Sequence, residues 1–452
     1  MDSKYDVAIV GAGPAGLFAA LKLIEKRPGL KVILIEKGKR VMERQREEVM
    51  NGVGGAGTFS DGKVHFTPVL SMEKMLNFYS RSEYQEFLNE VDQVLTKFGV
   101  DVPYYPKDLD RARQLVDTCK KESIHLFIRK TRHIGSDKLP AVIKNFEEYL
   151  ISQGIELLAE VEVRDLNIEN NFCKGVNLVD GRQIVADNTI VAPGRVGAQW
   201  LQNIAKNLGL EYNYDKALVG VRVEFPHGII KEHAELLYET IYLMYTKTFD
   251  DAIRTYCPCS RGKVAIENYD GFVCVNGHSN SNYDSENSNF AFLSEIRLTE
   301  PVENTIQYAK SIAQLANTIG GGKPILQRLA DLRNGRRSTW QRINKSYIKP
   351  SLMEVTPGDI SMALPGRIVT NIVEGLQMLS RVLPGIDSGH TLLYAPEIKL
   401  TSSKIETDKY LETPIKNLYV AGDGAGVSGN ITGAAATGII AALGILNKST
   451  NT

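Results

Sequence analysis

The 452-residue sequence has no surplus of charge: lysine plus arginine and aspartate plus glutamate number 53 each. No whole-molecule field therefore favours nucleic acid, anionic lipid or an acidic partner, and any such preference has to be local. Cysteine is scarce as well. The five present, at 119, 173, 257, 259 and 274, include no C-x-x-C pair. That excludes a thioredoxin-like motif and a zinc ribbon and points to a reducing, cytoplasmic setting. The N-terminus MDSKYDVAIV carries no basic segment followed by an apolar run. No stretch reaches the roughly 18 apolar residues of a membrane span, and GIIAALGIL near the C-terminus reads as too short. Metal-ligand spacing, a G-x-S-x-G elbow and a G-x-x-x-x-G-K-[ST] phosphate loop are also missing.

Glycine, by contrast, stands wherever the backbone must come close to something. Residues 5–10, YDVAIV, form a short β-branched run, GAGPAG follows at 11–16, and LFAALKLIEKR takes up helical spacing, so strand, turn and helix are predicted. In the G-x-G-x-x-G reading Gly11 permits the tight bend, Gly13 lets a pyrophosphate approach the main chain, and Gly16 lets helix and strand pack, with Ala12, Pro14 and Ala15 between them. Anionic phosphate would meet the N–H groups and the positive end of the helix. KVILIEK at 31–37 repeats the buried-strand composition and puts Glu36 where it accepts hydrogen bonds from a ribose diol. One βαβ unit and a parallel sheet are implied.

NGVGGAGTFSDGK, 51–63, places five glycines in thirteen positions. Each costs conformational entropy on folding, so something must approach this backbone closely. Farther on, 72–98 and 138–153 read as helical, and 154–194 as a β-meander ending in the buried strand TIVAPG. From about 201, aromatic and β-branched segments separated by polar turns suggest an antiparallel sheet, with helices at 302–319 and 367–382. NLYVAGDGAG, 417–426, is strand then glycine turn again, followed by a small-residue helix. The predicted division is 1–200 and 401–452 as the two parts of one dinucleotide-binding domain, with 201–400 inserted between them.

The C-terminal turn distinguishes FAD from NAD by analogy with flavoenzymes of the glutathione-reductase type. There Asp423 would accept a ribityl hydroxyl, and the helix opening near Asn430 would direct its positive end at the flavin N1–C2 edge. In order, GGAGTFSDGK (54–63), HIGSDKL (133–139), VAPGRVGAQW (191–200), GVRVEFP (220–226), TYCPCSRGKV (255–264), LLYAPEIK (392–399) and YVAGDGAGVSGNI (419–431) resemble the prokaryotic NAD(FAD)-utilising dehydrogenases of the glutathione-reductase-like flavoprotein superfamily. The resemblance spans nearly the whole chain. Ser260 and Arg261 depart from it, standing where the family has proline and glycine.

The resemblance implies an α/β fold: a Rossmann-type FAD domain with an inserted, mainly antiparallel α+β substrate domain. It implies FAD held by the first glycine turn, by Glu36 with Lys37 and Arg44, and by the backbone of Gly54, Gly55, Ala56 and Gly57 lying against the isoalloxazine. Thr58, Ser60 and Asp61 would stand at the reactive edge. Val163, the turn Ala192, Pro193 and Gly194, and the C-terminal Gly422, Asp423, Gly429, Asn430 and Ile431 would complete the site. Lys63, Asp61, His133 and Tyr394 are the candidate catalytic groups, Lys63 also stabilising charge on reduced flavin and His65 being a further proton donor. Arg222 and Lys63 would meet a substrate, Arg222 gripping its carboxylate, with an interdomain ion pair as the equal alternative for Arg222. Tyr394 and Glu397 would roof the pocket. Cys257 and Cys259 form a C-x-C whose disulfide would be strained, so they read as core or pocket-lining thiols.

A second G-x-G-x-x-G after a strand is absent, since GGGKP at 320–324 follows a helical pattern. The flavin would then exchange electrons with a molecule bound in the cleft between domains. The expectation is a cytoplasmic FAD-dependent dehydrogenase or reductase passing hydride between flavin N5 and a small organic substrate, with NAD(P)H at most a transient donor, no nucleic-acid partner and no membrane span. A flavin-dependent monooxygenase and a non-catalytic electron-transfer subunit are the alternatives. The polar tail TFSDGK disfavours the latter, because a purely structural flavin needs no polar groups on its reactive face.

Overall fold

The computed structural model describes residues 4–45, 50–60, 62–70, 72–135, 137–213, 216–269, 271–278, 285–298, 304–399 and 404–448. Two compact units emerge, one from Met1–Pro103, Thr131–Asp215 and Thr401–Thr452, the other from Tyr104–Lys130 and Lys216–Leu400. The later boundary falls at 400. The first falls at 215 rather than 200, and 104–130 joins the second unit. The shift to 215 has a local cause: Ala198–Asn207 is an amphipathic helix whose Leu201 and Ala205, followed by Leu210, sink into the core of the first unit.

That first unit is an α/β fold of Rossmann type. Strands Glu156–Leu158, Val32–Ile35, Tyr5–Val10, Gln183–Val191 and Leu418–Val420 are paired successively in parallel. Val7, Ile9, Ile33 and Ile190 have no solvent exposure, which is why these segments read as unbroken apolar runs rather than alternating ones. Val163–Glu169 and Phe172–Leu178 add an antiparallel meander through the first half of the long Gln183–Val191 strand.

Helix Pro14–Lys26 packs on the C-terminal helix Ile431–Lys448 so closely that a Cβ on Gly438 would lie 2.0 Å from the carbonyl oxygen of Ala15. The small-residue helix read after the C-terminal turn runs Ile431–Lys448 and contains the GIIAALGIL stretch. By length and composition that helix could cross a membrane, yet it is mostly buried in this core. Its small residues exist to admit a neighbouring helix.

The second unit is α+β. Its eight-stranded sheet is mainly antiparallel, with Ala217–Pro226 between Asn287–Ile296 and Leu392–Lys399 at its centre. The two-residue strand His125–Leu126, from the 104–130 segment, pairs with Tyr242–Tyr245 at one edge. Helices Thr305–Gly320 and Gly366–Leu379 bury Ile312, Ala316, Ile372 and Leu376 in this unit's core. Gly321 ends the first of these in the left-handed region at φ +64, so GGGKP is a helix C-terminal turn.

Candidate functional site

The site in the first unit is assembled from glycine turns at the ends of parallel strands. Helix Pro14–Lys26 begins with Gly13 in an extended conformation and Pro14 at its first position, and no side chain caps it. Its leading N–H groups therefore lack both intrahelical and side-chain partners. Gly11, at φ +97, could not carry a side chain, since a Cβ would lie 2.2 Å from the carbonyl oxygen of Ala192. Gly16 could not either, at 1.9 Å from that of Gly11. Gly13 is different: its φ of −74 suits any residue, and a Cβ would meet only Gly55 Cα at 3.8 Å. The protein itself makes no demand for glycine at 13. An uncapped helix start facing a position kept bare for no internal reason fits a phosphate group on the main chain.

Glu36 follows the second strand and is nearly buried. Its Oε2 accepts from the Ala12 N–H at 2.9 Å, and its Oε1 from those of Gly38 at 2.8 Å and Gly52 at 2.9 Å. The carboxylate thus ties together the first glycine turn, the end of its own strand and the start of the glycine-rich loop. Oε2 keeps a second acceptor direction for a ribose hydroxyl. Lys37 points elsewhere, in an exposed ion pair with Glu162 at 2.7 Å.

Arg44 takes a role the sequence did not reveal. It is buried, and its Nη1 donates to the Val53 carbonyl at 2.7 Å, the Gly55 carbonyl at 3.1 Å and Thr58 Oγ1 at 3.1 Å, while its guanidinium lies 4.8 Å from the centre of the Phe59 ring. It is a strap for the loop rather than a group facing a ligand. Gly54 donates its N–H to the Ala12 carbonyl at 2.8 Å. Gly55 stands at φ +65, and Ala56 and Gly57 open a short 3-10 turn through Thr58 to Phe59. Ser60 closes the turn, its hydroxyl donating to the Gly57 carbonyl.

The C-terminal turn lies beside these groups. A Cβ on Gly422 would be 3.3 Å from the Ala15 side chain, one on Gly57 would be 2.9 Å from the Ile431 side chain, and one on Gly424 would be 2.3 Å from the Gly194 carbonyl oxygen. The glycine turns near the two ends of the sequence therefore meet in one place, with Ala192, Pro193 and Gly194 completing the ring. Asn430 caps the C-terminal helix, its Oδ1 accepting from the Gly433 N–H at 2.8 Å. Asp423 is already engaged: Arg195 Nε bonds one oxygen at 2.9 Å and the Ser428 hydroxyl the other at 2.6 Å, while Arg195 also donates to the Gly429 carbonyl at 3.1 Å. Each oxygen still has acceptor capacity for a hydroxyl. Val163 begins the meander, paired with Leu178 and nearly buried.

Strands Lys63–His65 and Thr131–His133 are antiparallel partners, with Lys63 opposite His133 and His65 opposite Thr131. Two groups named separately from the sequence, 70 positions apart, are thus neighbours on one ribbon. His65 is nearly buried, with Nδ1 3.0 Å from Thr131 Oγ1, and its carbonyl accepts from the Thr432 hydroxyl. The C-terminal helix start is thereby fastened to this ribbon. Asp61 lies outside the described residues.

The remaining candidates belong to the second unit, where the structure corrects their expected roles. Arg222 has no solvent exposure: Nε donates to Asn289 at 2.8 Å, Nη1 to Glu397 at 3.0 and 3.3 Å, and Nη2 to the Cys257 carbonyl at 2.7 Å, with Cys259 Sγ at 3.4 Å. Its five N–H donors are spent inside the sheet, leaving none for a substrate carboxylate. Tyr394 is also fully buried, donating to Glu224 at 2.5 Å, and Glu397 is fully buried against Arg222. Neither roofs a pocket. Burial pushes both the Glu224 carboxyl and the Tyr394 phenol upward. Cys259 is a core thiol, whereas Cys257 is exposed at φ +43.

Residues 216–400 match the family model described as FAD-dependent protein, C-terminal domain-like, and residues 6–50 match that of lycopene cyclase protein. An uncharacterized protein of Clostridium beijerinckii is 24% identical over 98% of this chain and 81% of its own length. Similar solved structures include glycine oxidase from Bacillus cereus, at 16% identity and TM-score 0.41 over 98% of this chain and 95% of that one. The E. coli quinol fumarate reductase subunit FrdA is similar at 13% identity and TM-score 0.46 over 100% and 71%. Formate oxidase of Aspergillus oryzae is similar at 12% identity and TM-score 0.48 over the whole of both chains.

Proposed function

We propose that this chain is an FAD-dependent oxidoreductase acting on a small organic molecule. The observation that carries the reading is the bare Gly13 at an uncapped helix start, ringed by the 52–58 loop and by the C-terminal turn at 422–431. A mononucleotide would need the first of these elements only. A dinucleotide extending along the unit gives a reason for all of them. The match of residues 216–400 to an FAD-dependent family supports the same cofactor.

When bound, FAD supplies the capacity to accept and release hydride. The chain's own residues do the rest. Gly13 and the helix N–H groups bind pyrophosphate, Glu36 Oε2 orients a ribose, and Asp423 orients the ribityl chain. Arg44 and Gly54 hold the 52–58 backbone in one shape, so that its N–H groups are set before any ligand arrives. Lys63 and His133 are the groups we assign to charge stabilisation and proton transfer, with Thr58 and Ser60 positioning them through the loop. Cytoplasmic residence fits five free thiols.

The test is direct. Purified protein should be yellow, or become so with added FAD, and should release FAD rather than FMN on denaturation. Anaerobic bleaching by a member of a metabolite panel supports a dehydrogenase. Bleaching by NADH or NADPH alone supports a reductase, unless rapid mixing with oxygen reveals an oxygenated flavin, which marks a monooxygenase. Colourless protein that takes up no FAD overturns the reading.

A further inference from the structure

The chain is neutral as a whole, but residues 332–353, LRNGRRSTWQRINKSYIKPSLM, contain six basic residues (Arg333, Arg336, Arg337, Arg342, Lys345, Lys349) and no acidic one. In a sequence with equal numbers of both signs, such a run needs an explanation. The structure shows how it is displayed. Ile343, Ile348 and Val355, with Leu352, pack inward on Leu326, Leu392 and Tyr394. This anchoring turns the intervening side chains outward.

Two of the six cations are answered locally, Arg336 by Asp331 at 2.9 Å and Arg333 by Asp387 at 3.5 Å. Arg337, Arg342, Lys345 and Lys349 have no carboxylate at ion-pair distance among the described residues, and Arg342 Nη1 donates only to the Arg337 carbonyl. Between them stand large apolar side chains that a free surface does not favour. Tyr347 is 90% exposed, Met353 62% and Trp340 36%, and Met362 is 66% exposed, its short turn tied to the segment through Gln327, which accepts from the Ile360 N–H and donates to the Arg336 carbonyl. Single exposed hydrophobes are ordinary; four of them set among unpaired cations are not. Asp359, beyond the segment, is turned onto Ser361 and Gln327.

We propose that residues 332–353, with Met362, form a peripheral docking surface for an anionic phospholipid bilayer. Tryptophan and tyrosine settle at the headgroup level, flexible methionines enter the acyl boundary, and arginine and lysine answer lipid phosphates. A single-stranded nucleic acid would also engage arginines and aromatic rings, but it gives no role to Met353 and Met362, which have no stacking face. The bilayer interface uses every member of the set. The inference is independent of the flavin reading, since no residue in it belongs to the site of the first unit.

Co-sedimentation with phosphatidylcholine vesicles containing about one-third phosphatidylglycerol tests it, with pure phosphatidylcholine vesicles and poly(U) as the other arms. Binding to the anionic vesicles that weakens steeply with salt is expected, together with little binding to the neutral ones. In a Trp200→Phe background Trp340 is the sole tryptophan, and its emission should shift to the blue on vesicle addition. Arg337→Glu/Lys345→Glu/Lys349→Glu should lose about a hundredfold in partitioning, at about fivefold per basic residue near the surface, with circular dichroism unchanged. Tyr347→Ser/Met353→Ser should abolish the insertion shift. No vesicle binding at low salt, equal binding to neutral vesicles, or binding to poly(U) alone would each overturn the proposal; if the charge-reversed variant fails to fold, the wild-type salt titration decides.

Discussion

A Cβ placed on Gly55 would stand 3.1 Å from the Cα of Gly13, whereas one placed on Gly13 would meet nothing nearer than 3.8 Å. The two glycines share one seam, but they are small for different reasons. Gly55 has the positive φ that side chains avoid, and Gly13 does not.

Gly13→Ala should therefore leave apoprotein stability within about 1 kcal/mol of wild type and weaken FAD binding by at least about tenfold, a small fraction of what a displaced pyrophosphate contact costs. Gly16→Ala forces a Cβ to 1.9 Å from a carbonyl oxygen and should destabilise the apoprotein by about 3 kcal/mol or prevent folding. Thermal melts of both apoproteins, with FAD uptake by equilibrium dialysis, check this. Equal loss of stability in the two would refute the special status of Gly13.

Arg44→Met keeps much of the stem that packs in the core and removes the bonds to Val53, Gly55 and Thr58. Leaving those buried acceptors unanswered should cost about 2 kcal/mol. FAD should dissociate faster from this variant, while proteolysis at low protease concentration should cut first within 50–60. A loop that stays protected would show that Arg44 is dispensable as a strap.

Arg222→Met should cost roughly 3–5 kcal/mol, because it strands Glu397 as a buried charge without its main partner. Lys399, 3.6 Å from Glu397, offsets only part of that. The double variant Arg222→Met/Glu397→Leu should recover most of the loss, as measured in urea unfolding. A stable single variant whose only defect is a raised KM would instead restore Arg222 to substrate binding.

Asp331 offers a pH-dependent test in the second unit. Burial alone would raise its carboxyl, but hydrogen bonds from Arg328, Ser338 and Arg336 outweigh that and take it from 3.8 down to about 2. A depressed carboxyl contributes stability above the unfolded value, here about pH 4, and that contribution fades as pH falls through about 2. The span corresponds to about 2 kcal/mol. Asp331→Asn should lose roughly that amount at pH 7 and show a flatter stability profile between pH 4 and pH 2 than wild type.

The local elements around the site were legible in the sequence because each is specified by neighbours in the chain. Strand Tyr5–Val10, the turn at 11–16, the helix after it and Glu36 lie within one βαβ unit, where period and glycine spacing suffice. The C-terminal turn was legible for the same reason. Roles fixed by distant partners were not. Arg222 sits in an alternating β segment that looks half exposed, and only Glu397, Asn289 and Cys257, brought in from three other segments, reveal that it is core. Arg44 was expected among the groups holding FAD, and its bonds to Val53, Gly55 and Thr58 depend on how the loop folds over it. Strand His125–Leu126 has two residues and no periodicity to read, so 104–130 could not be assigned to its unit. The Lys63 and His133 pairing depends on a register between segments with no turn between them.

The Leu418–Val420 strand completes the sheet beside Gln183–Val191, and the helix that follows covers Pro14–Lys26. During synthesis, then, helix Pro14–Lys26 waits for Ile431–Lys448 to be made before its apolar side is covered. A stop codon between these two helices would release a chain with that side bare, a natural client for chaperones and proteases rather than a smaller working protein.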